Sequence, residues 1–155
     1  MNTFLPLITA CLITAAAALA ASSASPVFPI RLVLDAPAAD SEPMTIVSKD
    51  RKEVVDVQKT VLLDQSALKS AGVRTDALGH PQIEITFNEE GRKRFAEITR
   101  QKLGQRLAIL IDGQLYCAPT VKTEIAGGKA EISGSFSKQE ANALAAKIIQ
   151  AIKKR

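Results

Sequence analysis

Apolar and polar residues alternate along several short stretches of the chain, and this period of two predicts β-strands with one buried face. The clearest stretches are residues 29–35 and 82–87. In the second stretch the residues expected to face the core are Ile83, Ile85 and Phe87. Residues 44–50 and 53–63 are predicted as two further strands, joined by the turn KDRK.

A first long helix is predicted after Asn88, because an Asn side chain caps a helix and the two acidic residues that follow suit the positive end of its dipole. Gly104 is the expected stop. The apolar stripe of this helix consists of Phe95, Ile98 and Leu103. A shorter helix of one or two turns is expected between Asp64, as N-cap, and Gly72.

The last helix is predicted to begin at the motif S-x-x-E, in which Ser137 and Glu140 can form a capping box. Its apolar stripe consists of Ala141, Leu144, Ala145, Ile148, Ile149 and Ile152. Basic residues close the chain, where they suit the negative end of the helix dipole.

Residues 106–112 are apolar on both faces, which is typical of a central strand. The pair Asp112-Gly113 follows, and such a pair between two apolar runs is a strong signal of a β-hairpin. An Asp in this position is explained by the tight turn, so we do not assign it as a general acid or base.

Residues 120–125 and 129–136 are expected to form another strand pair across the turn Gly127-Gly128. The order of elements predicts an α+β domain, with a mainly antiparallel sheet and two long helices packed on one face, as in ferredoxin-like folds. The Gly-Gly turn is not a phosphate loop, because a strand follows it rather than a helix.

The N-terminus differs in composition from the rest of the chain. Residues 1–30 carry no charged side chain, and residues 4–21 form an apolar, Ala-rich run followed by small residues. We therefore expect residues 1–24 to be a secretory signal peptide and residues 28–155 to be the folded domain. Two alternatives stay open, an uncleaved membrane anchor and lipidation at Cys11. All three place the domain outside the cytoplasm, in the periplasm or secreted.

Composition restricts the classes of function. The chain has a formal net charge of +4, one Tyr, five Phe and no Trp. Nucleic-acid binders usually combine a tighter basic face with stacking aromatic residues, so no nucleic-acid partner is expected. The basic residues of the first long helix fit a solvated surface, or a docking surface for an acidic partner or anionic lipid.

The side chains that could carry catalysis do not form a constellation. His80 is the only histidine and lies between Gly79 and Pro81, in a predicted exposed turn. Cys117 lies on a strand with no nearby cation to lower its pKa, which favours a packed thiol. We therefore predict that the protein is not an enzyme and has no catalytic, cofactor or metal site.

The segment from residue 85 to 145 resembles the head subdomain of the first periplasmic domain of SecD and fused SecDF proteins. The residues that carry this likeness are Gly91, Phe95 and Thr99, the hairpin from Leu107 to Pro119, then Ile125, Gly127, Gly128, Ala130, Ile132 to Gly134 and Phe136, and finally Glu140 to Ala145. A weaker likeness extends back to Val61, so the best-matched part is residues 61–150.

This resemblance implies a binding module of the protein-export apparatus. In the family, the head is thought to contact the emerging polypeptide, whereas proton flow is coupled by membrane carboxylates. No counterpart of those carboxylates is seen, so only the binding capacity is expected here. The expected partner is an unfolded polypeptide or an envelope protein, with membrane contact only if the N-terminal segment is retained or lipidated.

Two roles therefore stay open. In the first, the domain grips an extended polypeptide by strand addition at a sheet edge, or between loops that act as the lips of a groove. The residues expected in those loops are Asp112, Gly113, Gly127 and Gly128. In the second, the protein is a membrane-tethered structural or interaction protein of the envelope with no peptide-binding role.

Overall fold

The computed structural model describes residues 25–47 and 52–154. The expected signal peptide and most of the turn KDRK lie outside the described residues. The strands are β1 Ile30–Leu34, β2 Ser41–Thr45, β3 Val54–Leu63, β4 Leu68–Thr75, β5 Pro81–Phe87, β6 Leu107–Ile111, β7 Gln114–Cys117 and β8 Lys129–Ile132. The helices are α1 Glu89–Gln101 and α2 Lys138–Lys153, and a single 3₁₀ turn occupies Gln65–Ala67. The predicted α+β class is confirmed.

The strands form two antiparallel sheets rather than the one that the alternation indicated. The larger sheet has the order β2-β3-β1-β6-β7. Strand β6 is buried at every position, as expected of a central strand. A parallel bridge between Ile46 and Leu115 links the end of β2 to β7, so that the sheet curls round. A separate apolar cluster from all five strands lies inside the curl: Val33, Met44, Ile46, Val55, Val57, Ala108, Leu110 and Leu115.

The smaller sheet has the order β4-β5-β8 and corrects one expectation. The prediction of a helix between Asp64 and Gly72 is wrong. Asp64 does cap, since its side chain accepts a hydrogen bond from Ser66 N at 2.8 Å, but the helical turn ends at Ala67. The chain then pairs with β5 along the whole of β4. Tertiary pairing outweighs the weak helix preference of so short a segment.

Helix α1 begins as predicted, with the Asn88 side chain accepting a hydrogen bond from Gly91 N at 2.8 Å. Its buried residues are Gly91, Phe95 and Thr99. The expected burial of Leu103 is wrong, because the helix ends at Gln101 and leaves this side chain 52% exposed.

Helix α2 has the predicted capping box of Ser137 and Glu140. Its buried residues are Ala141, Leu144, Ala145 and Ile148, whereas Ile149 and Ile152 are half-buried. The four buried residues and Ile152 pack into the main core together with Ile83, Ile85 and Phe87 of β5, whose burial the alternation predicted. Burial of this apolar surface is the main term that stabilises the domain.

The strand pair expected across Gly127-Gly128 does not form. Residues 120–125 make no strand; their backbone instead bonds back toward the end of α1, with Val121 N donating to Gln105 O at 2.8 Å. Strand β8 pairs with β5. Within the described residues, no helix is long and apolar enough to cross a membrane.

Candidate functional site

A groove separates β7, at the edge of the larger sheet, from β8, at the edge of the smaller one. It comprises two adjoining cavities of about 350 and 470 Å³. Both cavities are lined by Val47, Tyr116 and Ser135, which makes them parts of one depression. The first continues along the N-terminal half of α2, and the second continues along the outer end of β8.

Two aromatic rings form part of the apolar lining of the groove. The ring centroids of Tyr116 and Phe136 are 5.7 Å apart, with an angle of 43° between the planes. Phe136 folds back over Gly134, where an added Cβ would lie 2.8 Å from the ring. Gly134 is therefore required for the position of Phe136. Paired aromatic rings beside open space offer apolar contact area of the kind that dominates binding interfaces.

An ion pair closes one end of the groove. Lys147 of α2 lines the first cavity, and its Nζ lies 2.5 Å from Oδ2 of Asp112 in the β6–β7 hairpin. Lys147 donates a hydrogen bond to the Asp112 carboxylate, and this bond raises the pKa of Lys147. Burial raises the pKa of Tyr116. At this end the groove therefore has an uncharged phenol, and an ammonium group whose charge is balanced by the Asp112 carboxylate.

The two strand edges that border the groove differ in how far they are covered. On the β7 side, Val47 N donates to Leu115 O at 2.7 Å, which occupies part of that edge. On the β8 side, Phe87 N donates to Gly128 O, so the backbone groups of Gly128 point to β5. Because these groups alternate in direction, those of Lys129 and Glu131 point away from β5. Strand β8 therefore presents the more open edge.

A third, mainly apolar cavity of about 280 Å³ lies beneath residues 119–125. Glu131 and Pro119 line both this cavity and the second one, which places open space on two sides of the β8 edge. Thr99, fully buried, holds the overlying segment: its Oγ1 accepts a hydrogen bond from Ile125 N at 3.0 Å and donates one to Phe95 O at 2.9 Å.

None of the four residues expected in binding loops lines the two groove cavities. Asp112 and Gly113 form the predicted hairpin turn, with φ of 53° and 78°. Asp112 meets the groove through Lys147. Gly127 and Gly128 lie just before β8, and Gly128 packs against the Arg92 side chain. The sequence reasoning missed Val47, Tyr116, Phe136 and Glu131, which line the cavities themselves.

The groups considered for catalysis are placed as follows. His80 is exposed in its turn, with Nδ1 3.3 Å from Oδ2 of Asp76. Cys117 lines the second cavity, and burial raises the pKa of its thiol to about 12. A thiol with so high a pKa is a poor nucleophile at neutral pH. Across residues 25–47 and 52–154, no three His, Cys, Asp or Glu side chains form a group that could hold a metal ion.

Comparison with known proteins gives the family. The model of the SecDF P1 head subdomain matches residues 42–151, which begins earlier than the likeness expected from the sequence. The SecD protein translocase subunit of Leptotrichia buccalis is 49% identical over 85 residues, covering 55% of this chain and 21% of that protein. The SecDF subunit of Thermus thermophilus is 45% identical over 84 residues, covering 54% of this chain and 11% of that protein.

The fold comparison agrees with the sequence comparison. A solved structure of SecDF, described as a membrane component that enhances protein export, superposes with a TM-score of 0.64 at 28% identity. The superposed region covers 81% of this chain and 62% of that structure's chain. A second structure, SecDF in a super-membrane-facing form, gives a TM-score of 0.63 at 28% identity, covering 83% of this chain and 18% of the other.

These matches define the class of the domain as a SecDF P1 head subdomain. This chain belongs to the SecDF P1 head subdomain family. It spans about a fifth or less of the length of these curated relatives, which are protein translocase subunits.

Proposed function

We propose that this chain is a non-enzymatic, extracytoplasmic binding module that holds an extended segment of polypeptide in the groove between β7 and β8. The observation that carries the proposal is the open edge of β8, which borders cavities on two sides. Membership of a family of protein-export components supports polypeptide as the ligand.

The backbone of β8 supplies the affinity. An exposed strand edge presents unpaired N–H and C=O groups that an extended peptide can satisfy by adding a strand. Main-chain pairing does not depend on side chains, which suits a ligand of variable sequence. The Tyr116–Phe136 pair beside this edge supplies apolar contact for one or two side chains of the ligand.

A matched pair of valines tests this placement. Val47 lines both cavities and is 46% exposed, whereas Val54 is 65% exposed and does not line the groove cavities. We expect Val47→Asp to weaken the binding of a reduced, carboxymethylated secretory protein at least fivefold, because it puts a charge against the apolar lining. Val54→Asp is the control and should leave binding unchanged. Binding by the native chain that Val47→Asp does not alter would contradict the placement.

The uncharged N-terminal 30 residues favour a second candidate, a membrane-tethered interaction protein of the envelope. Fractionation of cells that express the full chain distinguishes the two. Recovery of a soluble form processed near residue 24 supports the secreted module. Retention of the N-terminal segment in the membrane fraction, together with failure to bind unfolded polypeptide, supports the tethered protein instead.

A further inference from the structure

Charged side chains lie side by side across the outer face of the smaller sheet, and the last one, at the β8 edge, is a carboxylate. Glu84, in the middle strand, lies 3.0 Å from Arg74 Nε on one side and 3.5 Å from Lys129 Nζ on the other. Its direct cross-strand neighbour on β8 is Glu131, a second carboxylate. Like charges directly opposite each other are unfavourable in a sheet, and a cation beside Glu131 would offset this repulsion.

No such cation is supplied by the part of the chain that the structure describes. Arg74 and Lys129 both contact Glu84, and no basic side chain of residues 25–47 or 52–154 lies within ion-pair distance of the Glu131 carboxylate. Glu131 is exposed and borders two of the cavities. Lys147, which lines the first cavity, is paired with Asp112, and Lys122, which lines the third cavity together with Glu131, forms no ion pair with it in the described part of the chain. Within the described residues, the Glu131 carboxylate at the open edge therefore has no ion-pair partner, because both basic side chains of the row contact Glu84 instead.

A strand added at the β8 edge could bring a basic side chain next to Glu131. A strand that pairs with the β8 edge places one of its side chains directly opposite Glu131, about 5 Å away between Cβ atoms. A Lys or Arg at that position can reach the carboxylate, whereas Asp or Glu there adds a third acidic group to the row.

We infer that Glu131 is a specificity-determining residue, which makes the groove select extended polypeptide segments with a Lys or Arg opposite it. This inference rests on the proposed binding of extended polypeptide. Main-chain pairing alone gives the site no preference for ligand sequence, whereas selection by Glu131 predicts one.

The test uses three fluorescein-labelled ten-residue peptides of alternating Thr and Val that differ only in one central residue, Lys, Gln or Glu. Binding to the full chain is measured by fluorescence anisotropy at low salt. We expect the Lys peptide to bind two- to fivefold tighter than the Gln peptide, and the Glu peptide to bind weakest, in line with cross-strand ion pairs. The preference should shrink at high salt because exposed charges are screened.

Two variants assign the preference to this residue. Glu131→Gln should bind all three peptides equally, and Glu131→Lys should reverse their order. Glu124→Gln is the matched control, since Glu124 is exposed on the nearby segment and does not line the third cavity, and it should preserve the order. A preference for Lys that persists in Glu131→Gln would overturn the assignment.

The outcomes separate this inference from the proposed function. Equal binding of the three peptides by the native chain would overturn the selection by Glu131 and leave polypeptide binding in place. Failure of the native chain to bind any of these peptides or the unfolded secretory protein would overturn both.

Discussion

Gly91, in the first turn of α1, lies directly against the backbone carbonyl of Ala67. A Cβ added at Gly91 would stand 2.1 Å from that oxygen. The same carbonyl accepts a hydrogen bond from Asn88 N at 2.9 Å, and the Asn88 side chain donates to Ser66 O at 2.8 Å. The start of α1 is thereby fixed on the 3₁₀ turn that leads from β3 into β4.

Replacing Gly91 by Ala should therefore destabilise the domain. Alanine is favoured over glycine in a helix by about 1 kcal/mol, but here the added methyl displaces backbone, and overpacking of this kind costs about 1–3 kcal/mol or more. We expect a net loss of about 2 kcal/mol in the free energy of unfolding, measured by urea denaturation. Gly127→Ala is the control, because no atom lies within 4 Å of the added methyl there. Equal midpoints for Gly91→Ala and the native chain would contradict this packing.

Removing the Thr99 hydroxyl should loosen the segment above the third cavity. Thr99→Val keeps the shape of the side chain but leaves Ile125 N without its acceptor, which costs about 1–2 kcal/mol. We expect faster hydrogen exchange of the Ile125 amide in Thr99→Val and native-like exchange in Thr99→Ser, which keeps the hydroxyl. Unchanged exchange in the valine variant would show that the hydroxyl does not hold this segment.

Hydrophobic periodicity predicts only some of the residues on the buried face of α1. Hydrophobic periodicity identified Phe95 but could not identify Gly91 or Thr99, because neither is apolar in the usual sense and their roles depend on contacts from distant segments. The family resemblance marked all three positions. The extra burial predicted for Leu103 fails for a local reason, since the helix ends two residues earlier.

The Cys117 thiol should react slowly in the folded protein. Burial raises its pKa to about 12, so the thiolate fraction at pH 8 falls about a thousandfold below that of an ordinary cysteine. We expect iodoacetamide to alkylate the folded chain far more slowly than the urea-unfolded chain, measured by mass spectrometry in a Cys11→Ser chain so that one thiol is present. Alkylation of the folded chain at the rate of a free thiol would contradict the burial.

The ion pairs of Glu84 should make stability depend on pH in the acid range. The hydrogen bond from Arg74 lowers the pKa of Glu84 below its ordinary value of 4.5. Its contribution is therefore fully present above pH 4.5 and is lost as the pH falls through the lowered pKa. We expect the native chain to be more stable than Glu84→Gln at neutral pH, with the difference disappearing in acid. Urea midpoints from pH 7 to 3 measure this, with Glu124→Gln as the control; a constant difference would refute it.

The groove was less predictable than the fold. The hairpin turn and the capping box depend on neighbouring residues, and both were predicted correctly. The approach of Tyr116 to Phe136 depends on how two separate sheets meet, which local patterns do not encode. Strand β8 pairs with β5 and not with residues 120–125, and this pairing decides which edge stays open. The pairing too depends on residues that are distant in the sequence.

Hydrogen exchange at the β8 edge tests the central claim most directly. In the free chain the amides of Lys129 and Glu131 point away from β5, whereas the amide of Ala130 points toward it. With a saturating amount of reduced, carboxymethylated secretory protein, the exchange of the Lys129 and Glu131 amides should slow at least tenfold, because an added strand accepts their hydrogen bonds. Binding that leaves the exchange of both amides unchanged would contradict strand addition at β8.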